Sequence, residues 1–584
     1  MRAWWILLLL SEMLALAPAA LAQSSPAASP PPSFKVGVTN VLVDVVVTSH
    51  HGVPVDGLSK DSFTVLENGH EQPVVSFEAH TPSAARATAA PQSQPAGVYT
   101  NAQAVGDSDT VDVLLIDSLN TPTQSQMQTH RVLVDYLKTL PVDKLVAVFT
   151  LDTRLNLLED FTTDHTALLR AVEAFSGRAQ KSPLLKTQQD TGEQQKNEDE
   201  KVEFAMGLKP EYQGLADNLL SNLQQFYADR DSFSDSLRVR YTLAAFDQLG
   251  RYLSGMPGRK NVIWLSGSFP LAVLPDPNLK NSFQAARDFS TEVDHTAGLL
   301  ANARVAIYPV DARGLFPESP SSASMSSGSE ARGPQRIAQA ETDDFTLHAE
   351  ERMSLEEVAH ATGGEAIYNT NDLKGALAEV DRNGEHYYSL AYIPSDKSQS
   401  GKPRRIEVRV RPGKYKLSYR RSYAPAQTSQ QASGARSFAV LMEHSTPAST
   451  QIIFRLSPIR VAAEPLSAAI AGSNPNAQRP VTRYSIEYNV DVAPFVLTAS
   501  ADGVLHGRAT VLSIVYDGDG HALNSVSNTL NIKVPAAEYS GFIKAGIHYR
   551  EQLDLPAQAA WLRAGIFDPS SGRIGSLEVR FPAR

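Results

Sequence analysis

Short apolar runs alternate with amphipathic stretches between residues 110 and 311. The apolar runs are VDVLLID at 111–117, KLVAVFTL at 144–151, NVIWLSG at 261–267 and RVAIYPVD at 304–311. Stretches with apolar residues at helical spacing separate them, for example QSQMQTHRVLVDYLKTL and STEVDHTAGLLANA. Strands that are apolar at consecutive positions are typical of sheets covered on both faces. The pattern therefore predicts a mostly parallel α/β sheet with helices on each face.

The two ends of the chain show a different period. Val41, Val43, Val45 and Val47 alternate along one strand face, and Asn68-Gly69 marks a hairpin between two further strands. These features predict a small β module. After residue 436 the chain is rich in strands and turn signals, which predicts an all-β sandwich. A charged hairpin, RRIEVRVRPGKYKLSYRRSY, closes the α/β region, and its arginines lie on the solvent face of an edge.

Composition shifts between these regions predict the domain boundaries. Stretches rich in proline, serine, alanine and glutamine separate the folded units. Polar and low-complexity composition also predicts insertions in the α/β domain near 180–230 and 316–345. The predicted organisation is a signal peptide at 1–22, a linker at 23–33, an N-terminal β module at 34–79, a linker at 80–109, the α/β domain at 110–423, a linker at 424–435 and a β-sandwich at 436–584.

The N-terminus predicts export. Arg2 precedes an apolar stretch that ends in Ala20-Leu21-Ala22, the small-x-small pattern of a signal-peptidase site. The 584 residues include no cysteine, so the chain forms no disulfide and carries no lipobox. No later segment reaches the ~20 apolar residues of a membrane span. We therefore expect a secreted or periplasmic protein, and the formal charge of -10 argues against nucleic acid as a partner.

Several stretches together resemble a known family. They are VDVVVTSHHGVPVDGLSKDSFTVLENGHEQPVVSFE, LLIDSLNT, GMPGRKNVIWLSGSFP, RVAIYPVDARGL and the hairpin that begins at YYSLAYIP. In this order they resemble the von Willebrand factor A-related (VWFA-related) proteins of the Acidobacteria type, and 110–423 resembles a von Willebrand A domain. The resemblance implies a Rossmann-like α/β domain with a divalent cation at the carboxyl edge of its sheet.

That implied cation site is only partly present in this sequence. The family pattern is Asp-x-Ser-x-Ser, a threonine from a second loop and an aspartate from a third. Asp117 matches the first ligand and Thr121 the third, but Leu119 stands where the first serine is expected. Ser266, Gly267 and Ser268 occupy the third loop instead of an aspartate, and no threonine is evident in the second loop. Neutral oxygens could come from Ser118, Asn120 and Ser266.

Two interpretations of this strand end remain open. A site with one carboxylate would bind Mg²⁺ or Mn²⁺ weakly, through Asp117 and Thr121 with Asn120 and Ser266 as helpers. Alternatively, Asp117 only caps the following turn and helix by accepting backbone N–H groups. On the second interpretation the chain keeps the scaffold of a metal site without the metal.

No constellation of catalytic residues is evident. His50-His51 and the DGDG stretch at 517–520 are typical of turns, and WLSGSF differs from the Gly-x-Ser-x-Gly of a nucleophile elbow. We therefore expect no enzymatic activity. The sequence favours an exported protein-interaction or adhesion module with a degenerate metal site and an unidentified protein partner. The alternative is a metal-free structural or scaffold protein of the envelope whose β modules make the contacts.

Overall fold

The fold is described from a computed structural model. It describes residues 40–81, 95–103, 110–141, 144–176, 209–269, 271–273, 279–281, 286–311, 351–368, 372–396, 402–423, 430–461, 470–474 and 479–581, with a few single positions between them. The predicted signal peptide at 1–22, the linker at 23–33 and the insertion near 316–345 lie outside the described residues, so they stay predictions. Within the described residues, no helix combines the length and the apolar character that crossing a membrane requires.

The described residues form several sheets and helices on one multidomain, α/β and β-rich chain. The strands are β1 (Val41–Thr48), β2 (Phe63–Glu67), β3 (His70–Gln72), β4 (Val74–His80), β5 (Tyr99–Thr100), β6 (Thr110–Asp117), β7 (Val146–Leu151), β8 (Leu155–Thr162), β9 (Arg259–Ser266), β10 (Ala272–Val273), β11 (Arg287–Asp288), β12 (Val305–Asp311), β13 (Tyr387–Tyr392), β14 (Arg404–Val410), β15 (Lys416–Ser418), β16 (Ser422–Tyr423), β17 (Phe454–Arg460), β18 (Val481–Val490), β19 (Thr498–Ala499), β20 (Val504–Tyr516), β21 (Ala522–Pro535), β22 (Ile547–Pro556), β23 (Trp561–Asp568) and β24 (Arg573–Arg580). The helices are α1 (Thr123–Leu137), α2 (His165–Ser176), α3 (Pro210–Leu253), α4 (Ser290–Asn302), α5 (351–362), α6 (Leu373–Gly384), α7 (Gln430–Leu441) and α8 (Tyr539–Ala545).

The central sheet has the order β12-β9-β6-β7-β8. Its first four strands are parallel and β8 is an antiparallel edge strand. Consecutive residues of β6 are buried because the sheet has an apolar core on each face. Val113 and Leu115 pack with α3, α4 and α5, while Leu114 packs with α1, α2 and α6. The predicted mostly parallel, doubly covered sheet is therefore present.

The predicted boundary at residue 79 is wrong, because the N-terminal strands do not form a module of their own. β1 pairs with β13 and β15, and β2 pairs with β14. The first four strands and the hairpin region 387–423 together make two sheets around one core, which includes Val43, Val65 and Leu390. A four-strand fragment alone would leave the alternating valine face of β1 uncovered, and the later strands cover it.

The C-terminal region has two antiparallel sheets with a shared core, as predicted for a β-sandwich. The orders are β22-β18-β17-β5 and β19-β20-β23-β24, with β21 beside β20. The predicted linker 80–109 contributes β5 to this unit. Its neighbour Asn101 donates to the carbonyl oxygens of Ser449 and Ile452 at 2.7 and 2.8 Å. The predicted linker 424–435 also differs, because α7 begins at Gln430.

Helix α3 is much longer than the sequence pattern predicts. The stretch RVRYTLAAFDQLGRYLSGM predicts a helix that begins at Arg238, and residues up to 230 were expected to belong to an insertion. The helix instead begins at Pro210 and continues for 44 residues without interruption. Its second half packs on the central sheet through Val239, Phe246 and Leu249. Its first half also carries apolar residues at helical spacing, among them Leu215, Leu219 and Phe226, so the sequence held a signal for a helix that begins well before Arg238.

Candidate functional site

The candidate site lies at the carboxyl edge of the central sheet, where β6 and β9 end side by side. The two strands are parallel, with Ile116 opposite Leu265, so Asp117 and Ser266 both come at the end of the paired region. Asp117, Asn120, Thr121 and Ser266 are all buried. The structure therefore brings together the four residues that the sequence nominates as metal ligands.

Protein donors surround the Asp117 carboxylate. Oδ1 accepts from the backbone N–H of Asn120 at 2.9 Å. Oδ2 accepts from Asn120 Nδ2 at 2.8 Å, from Trp264 Nε1 at 2.8 Å and from Ser266 Oγ at 2.9 Å. Burial raises the pKa of Asp117, and the hydrogen bonds from Asn120, Trp264 and Ser266 oppose this rise. The carboxylate thus links the end of β6, the turn after it and the end of β9.

A guanidinium group completes this network. Arg238, on the buried face of α3, donates from Nε to Asn120 Oδ1 at 3.0 Å. Its Nη2 donates to Ser268 Oγ at 2.5 Å, and its Nη1 pairs with Asp235 at 2.9 Å. The Arg238 side chain is only 7% exposed. A buried positive charge therefore lies one amide group away from the buried carboxylate of Asp117.

Sequence reasoning missed Arg238, although its position carries a signal. Arg238, Thr242, Ala245 and Leu249 recur at helical spacing and are all buried. An arginine on the apolar stripe of a helix requires buried partners for its donors. Asn120 and Ser268 supply them, and Asn120 Nδ2 also donates to Thr242 Oγ1 at 2.8 Å.

The loop after β9 packs directly onto the turn after β6. Gly267 N donates to Thr121 Oγ1 at 3.0 Å, and Ser268 Oγ donates to the Asn120 carbonyl at 3.2 Å. A Cβ atom at Gly267 would lie 2.9 Å from the Pro122 side chain and 3.1 Å from the Asn120 carbonyl oxygen. Glycine is therefore required at this close approach, and the Thr121 hydroxyl is engaged by the loop.

The residues at this strand end do not fit a divalent cation as they are arranged. Mg²⁺ takes about six oxygen ligands and needs free lone pairs on its charged ligands. Asp117 accepts four hydrogen bonds, Thr121 accepts one, and Leu119 lies in the apolar core. Among the described residues, the Ser118 hydroxyl is the buried oxygen here without a partner. The predicted Mg²⁺ or Mn²⁺ binding stays a prediction, with this geometry against it.

The other sequence candidates lie in turns. Asp517 accepts from the backbone N–H groups of Asp519 and His521 at 3.0 and 2.8 Å, in the tight connection between β20 and β21. The three side chains lie close enough to share an ion, but Asp519 and His521 are exposed. The prediction of a hairpin turn at 517–520 is confirmed. His50 and His51 lie in an exposed turn after β1.

A second surface feature lies on the first half of α3. Tyr212, Leu219, Phe226 and Phe233 follow one another at intervals of seven residues, and Leu215 lies on the same side of the helix. Each is between 52% and 73% exposed. We call these five residues the α3 stripe. Residues seven apart lie on the same side of a helix, so the five apolar side chains share one side of α3, with the polar Asn222 and Asp229 between them.

Arg238 shows where the α3 stripe lies relative to the sheet. Arg238 contacts the residues that follow β6, at the carboxyl edge. The helix continues N-terminally from there to Pro210, a length of about 42 Å at 1.5 Å per residue. Lys280, Asn281 and Gln284 contact part of this half, and Asn281 N donates to Gln225 Oε1 at 2.9 Å. The α3 stripe is therefore presented next to the candidate site and beyond the sheet edge.

Comparisons with known proteins give distant structural neighbours. No protein-family model matches the chain, and no curated protein sequence matches it. An aerotolerance-related membrane protein from Bacteroides fragilis is similar over 47% of this chain and 98% of its own, at 10% identity and a TM-score of 0.23. The pilus adhesin SpaC from Lactobacillus rhamnosus GG is similar over 87% of this chain and 57% of its own, at 9% identity and a TM-score of 0.23.

A von Willebrand factor type A protein from Catenulispora acidiphila is also among the neighbours. The similarity covers 64% of this chain and 84% of that one, at 12% identity and a TM-score of 0.16. TM-scores this low do not establish a common fold, so these neighbours carry no argument about function.

Proposed function

We propose that this chain is an exported, non-enzymatic protein-interaction module. A central α/β domain of von Willebrand A type, with a degenerate metal site, presents the carboxyl edge of its sheet and the adjoining helix to a protein partner. The observation that carries the proposal is the α3 stripe. Extended apolar surfaces on folded proteins mark interaction sites, since their exposure to water is unfavourable.

The spacing of the stripe indicates the kind of partner. Side chains at seven-residue intervals pack into the holes of a second helix, and the aromatic rings of Phe226 and Phe233 supply large contact areas. The partner we propose is therefore a protein that lays an apolar helix along α3. Such binding buries apolar area and requires no metal.

The alternative keeps the chain as a metal-free scaffold whose β units make the contacts. Exposed apolar side chains on those units support it, for example Val75 on β4 and Ile459 on β17. They are separate from each other in sequence and in sheet, unlike the five residues of the α3 stripe. The alternative thus offers smaller apolar contacts at separate places.

Site-specific photo-crosslinking distinguishes these cases. A photoreactive phenylalanine replaces Phe226, Val75 or Ile459 in turn, and the chain is expressed with its export signal. We expect a discrete adduct from the Phe226 position that disappears in a Leu215→Gln/Leu219→Gln background and persists in chelator. Adducts only from Val75 or Ile459 would support the scaffold alternative. An adduct at Phe226 that chelator removes would restore a role for the metal.

A further inference from the structure

We infer that Arg238 is a built-in cation that replaces a divalent metal at the carboxyl edge of the sheet. This deepens the proposed function, because it assigns the electrostatics of the predicted adhesion site to a side chain. The site would then be permanently charged and closed, and its integrity would be independent of metal concentration. The partner-binding surface on α3 could fail its own test without affecting this inference.

The first support is the hydrogen-bonded link between a buried anion and a buried cation. Asp117 and Arg238 are both buried, and the side chain of Asn120 lies between them. Asn120 Nδ2 donates to Asp117, and Asn120 Oδ1 accepts from Arg238. An amide held in this direction aligns its dipole with both charges. A buried carboxylate needs such a positive charge or several donors, because its transfer from water is costly. Among the described contacts of this network, Arg238 is the cation.

The second support is that Arg238 contacts the same groups that a cation would organise. It reaches the turn after β6 through Asn120 and the loop after β9 through Ser268. These two segments supply the nominated ligands Thr121 and Ser266. The planar guanidinium offers donors in several fixed directions, so one group can hold both segments as a multivalent ion would.

The third support is how the arginine is held. Asp235, one turn earlier on α3, pairs with Nη1, and the helix backbone fixes the spacing between the two residues. Ser268 also accepts from Nη2 through its backbone carbonyl at 3.4 Å. The cation is therefore tethered covalently to a helix that packs on the sheet, and it cannot be removed by a chelator.

The test compares three variants of the chain from residue 23 to 584. Arg238→Met removes the charge and keeps the volume, Arg238→Lys keeps the charge without the planar fork, and Arg240→Met removes an exposed arginine on the same helix as a matched control. Hydrogen exchange is measured on peptides from β6 and β9. Because removing one partner of a buried charged network is strongly destabilising, we expect protection there to fall on the order of a hundredfold in Arg238→Met, less in Arg238→Lys, and negligibly in Arg240→Met.

Three further measurements keep the inference falsifiable if Arg238→Met does not fold. Calorimetric titration of Mg²⁺ and Mn²⁺ into the unmodified chain should give no saturable heat, and chelator should leave its exchange pattern unchanged. In Arg238→Ala, millimolar methylguanidinium should restore protection of β6, while tetramethylammonium at the same concentration should not. Saturable Mn²⁺ binding that Asp117→Ala abolishes, or unchanged protection in Arg238→Met, would overturn the inference.

Discussion

Replacing Asp117 by asparagine tests whether the carboxylate holds the two strand ends together. Asparagine has the same shape, but one of its two terminal atoms is an NH₂ donor. If that NH₂ occupies the place of Oδ2, it faces three donors, from Asn120, Trp264 and Ser266. If it occupies the place of Oδ1, it faces one, the backbone N–H of Asn120. The second orientation is less costly, so we expect the variant to adopt it.

The cost follows from counting the bonds that change. One buried N–H loses its acceptor, at about 1–3 kcal/mol, and three charge-assisted hydrogen bonds become neutral, at about 1 kcal/mol each. Removing a buried charge offsets part of this loss, in keeping with the raised pKa of Asp117. We therefore expect Asp117→Asn to lower the free energy of unfolding of the α/β unit by about 2–4 kcal/mol.

Trp264 provides a local assay, because its indole donates to the carboxylate at issue. The four tryptophans are Trp4 and Trp5 in the predicted signal peptide, Trp264 and Trp561. In the chain from residue 23 with Trp561→Phe, fluorescence in a urea titration reports Trp264 alone. The control is Asp61→Asn, an exposed aspartate. If Asp117→Asn shifts the midpoint no more than this control, the carboxylate does not stabilise the strand ends and the reasoning fails.

Three further predictions concern contacts away from this site. Glu67→Ala leaves the buried Arg404 without the carboxylate that it contacts at 2.8 Å, so hydrogen exchange should show that the N-terminal β unit loses about 3–5 kcal/mol of stability. Burial lowers the pKa of Lys260 from 10.5 to about 7, so between these pH values the unfolded chain binds more protons than the folded chain. The free energy of unfolding should therefore rise with pH across this range. In denaturant titrations, Lys260→Met should flatten this rise. Asn101→Ala removes the acceptor of Phe454 N and two donated bonds, so exchange in β5 and the start of β17 should accelerate, whereas Ala102→Ser should leave it unchanged.

The local pattern was sufficient to predict the central sheet and part of the candidate site. Consecutive apolar residues in 111–117 and 261–267 indicate strands buried on both faces, and parallel strands end at one edge. The resemblance to von Willebrand A domains implied that Asp117 and Ser266 lie at one site, and Ser266 Oγ donates to Asp117 Oδ2 at 2.9 Å. The groups that contact the Asp117 carboxylate and its neighbours were harder to predict. Whether a metal or protein donors occupy this edge depends on Arg238, which is 121 residues from Asp117 in the chain (238 − 117).

The errors in the predicted boundaries have a common physical cause. Strand pairing depends on contacts between segments far apart in sequence, and hydrophobic period does not identify the partner of a strand. β1 pairs with β13 across more than 300 residues, and β5 is two residues long within a stretch of linker composition. Such short or distant strand pairings can be predicted only when the strands on both sides of the pairing are known.

Buried contacts hold the second half of α3, which explains why its first half is the part available to a partner. Its last turn is fixed to the C-terminal unit, because Thr450 accepts from Gly255 N at 2.7 Å and donates from its own N to the Arg251 carbonyl at 3.0 Å. Its middle is fixed to the sheet edge by Arg238 and Thr242. A helix anchored at these two levels is held rigidly by buried contacts over its second half. Lys280, Asn281 and Gln284 contact only polar residues of the first half, namely Asn222, Gln225 and Asp229, in the hydrogen bonds described. The apolar side chains of the α3 stripe stay exposed beside these contacts, so a partner can pack on them.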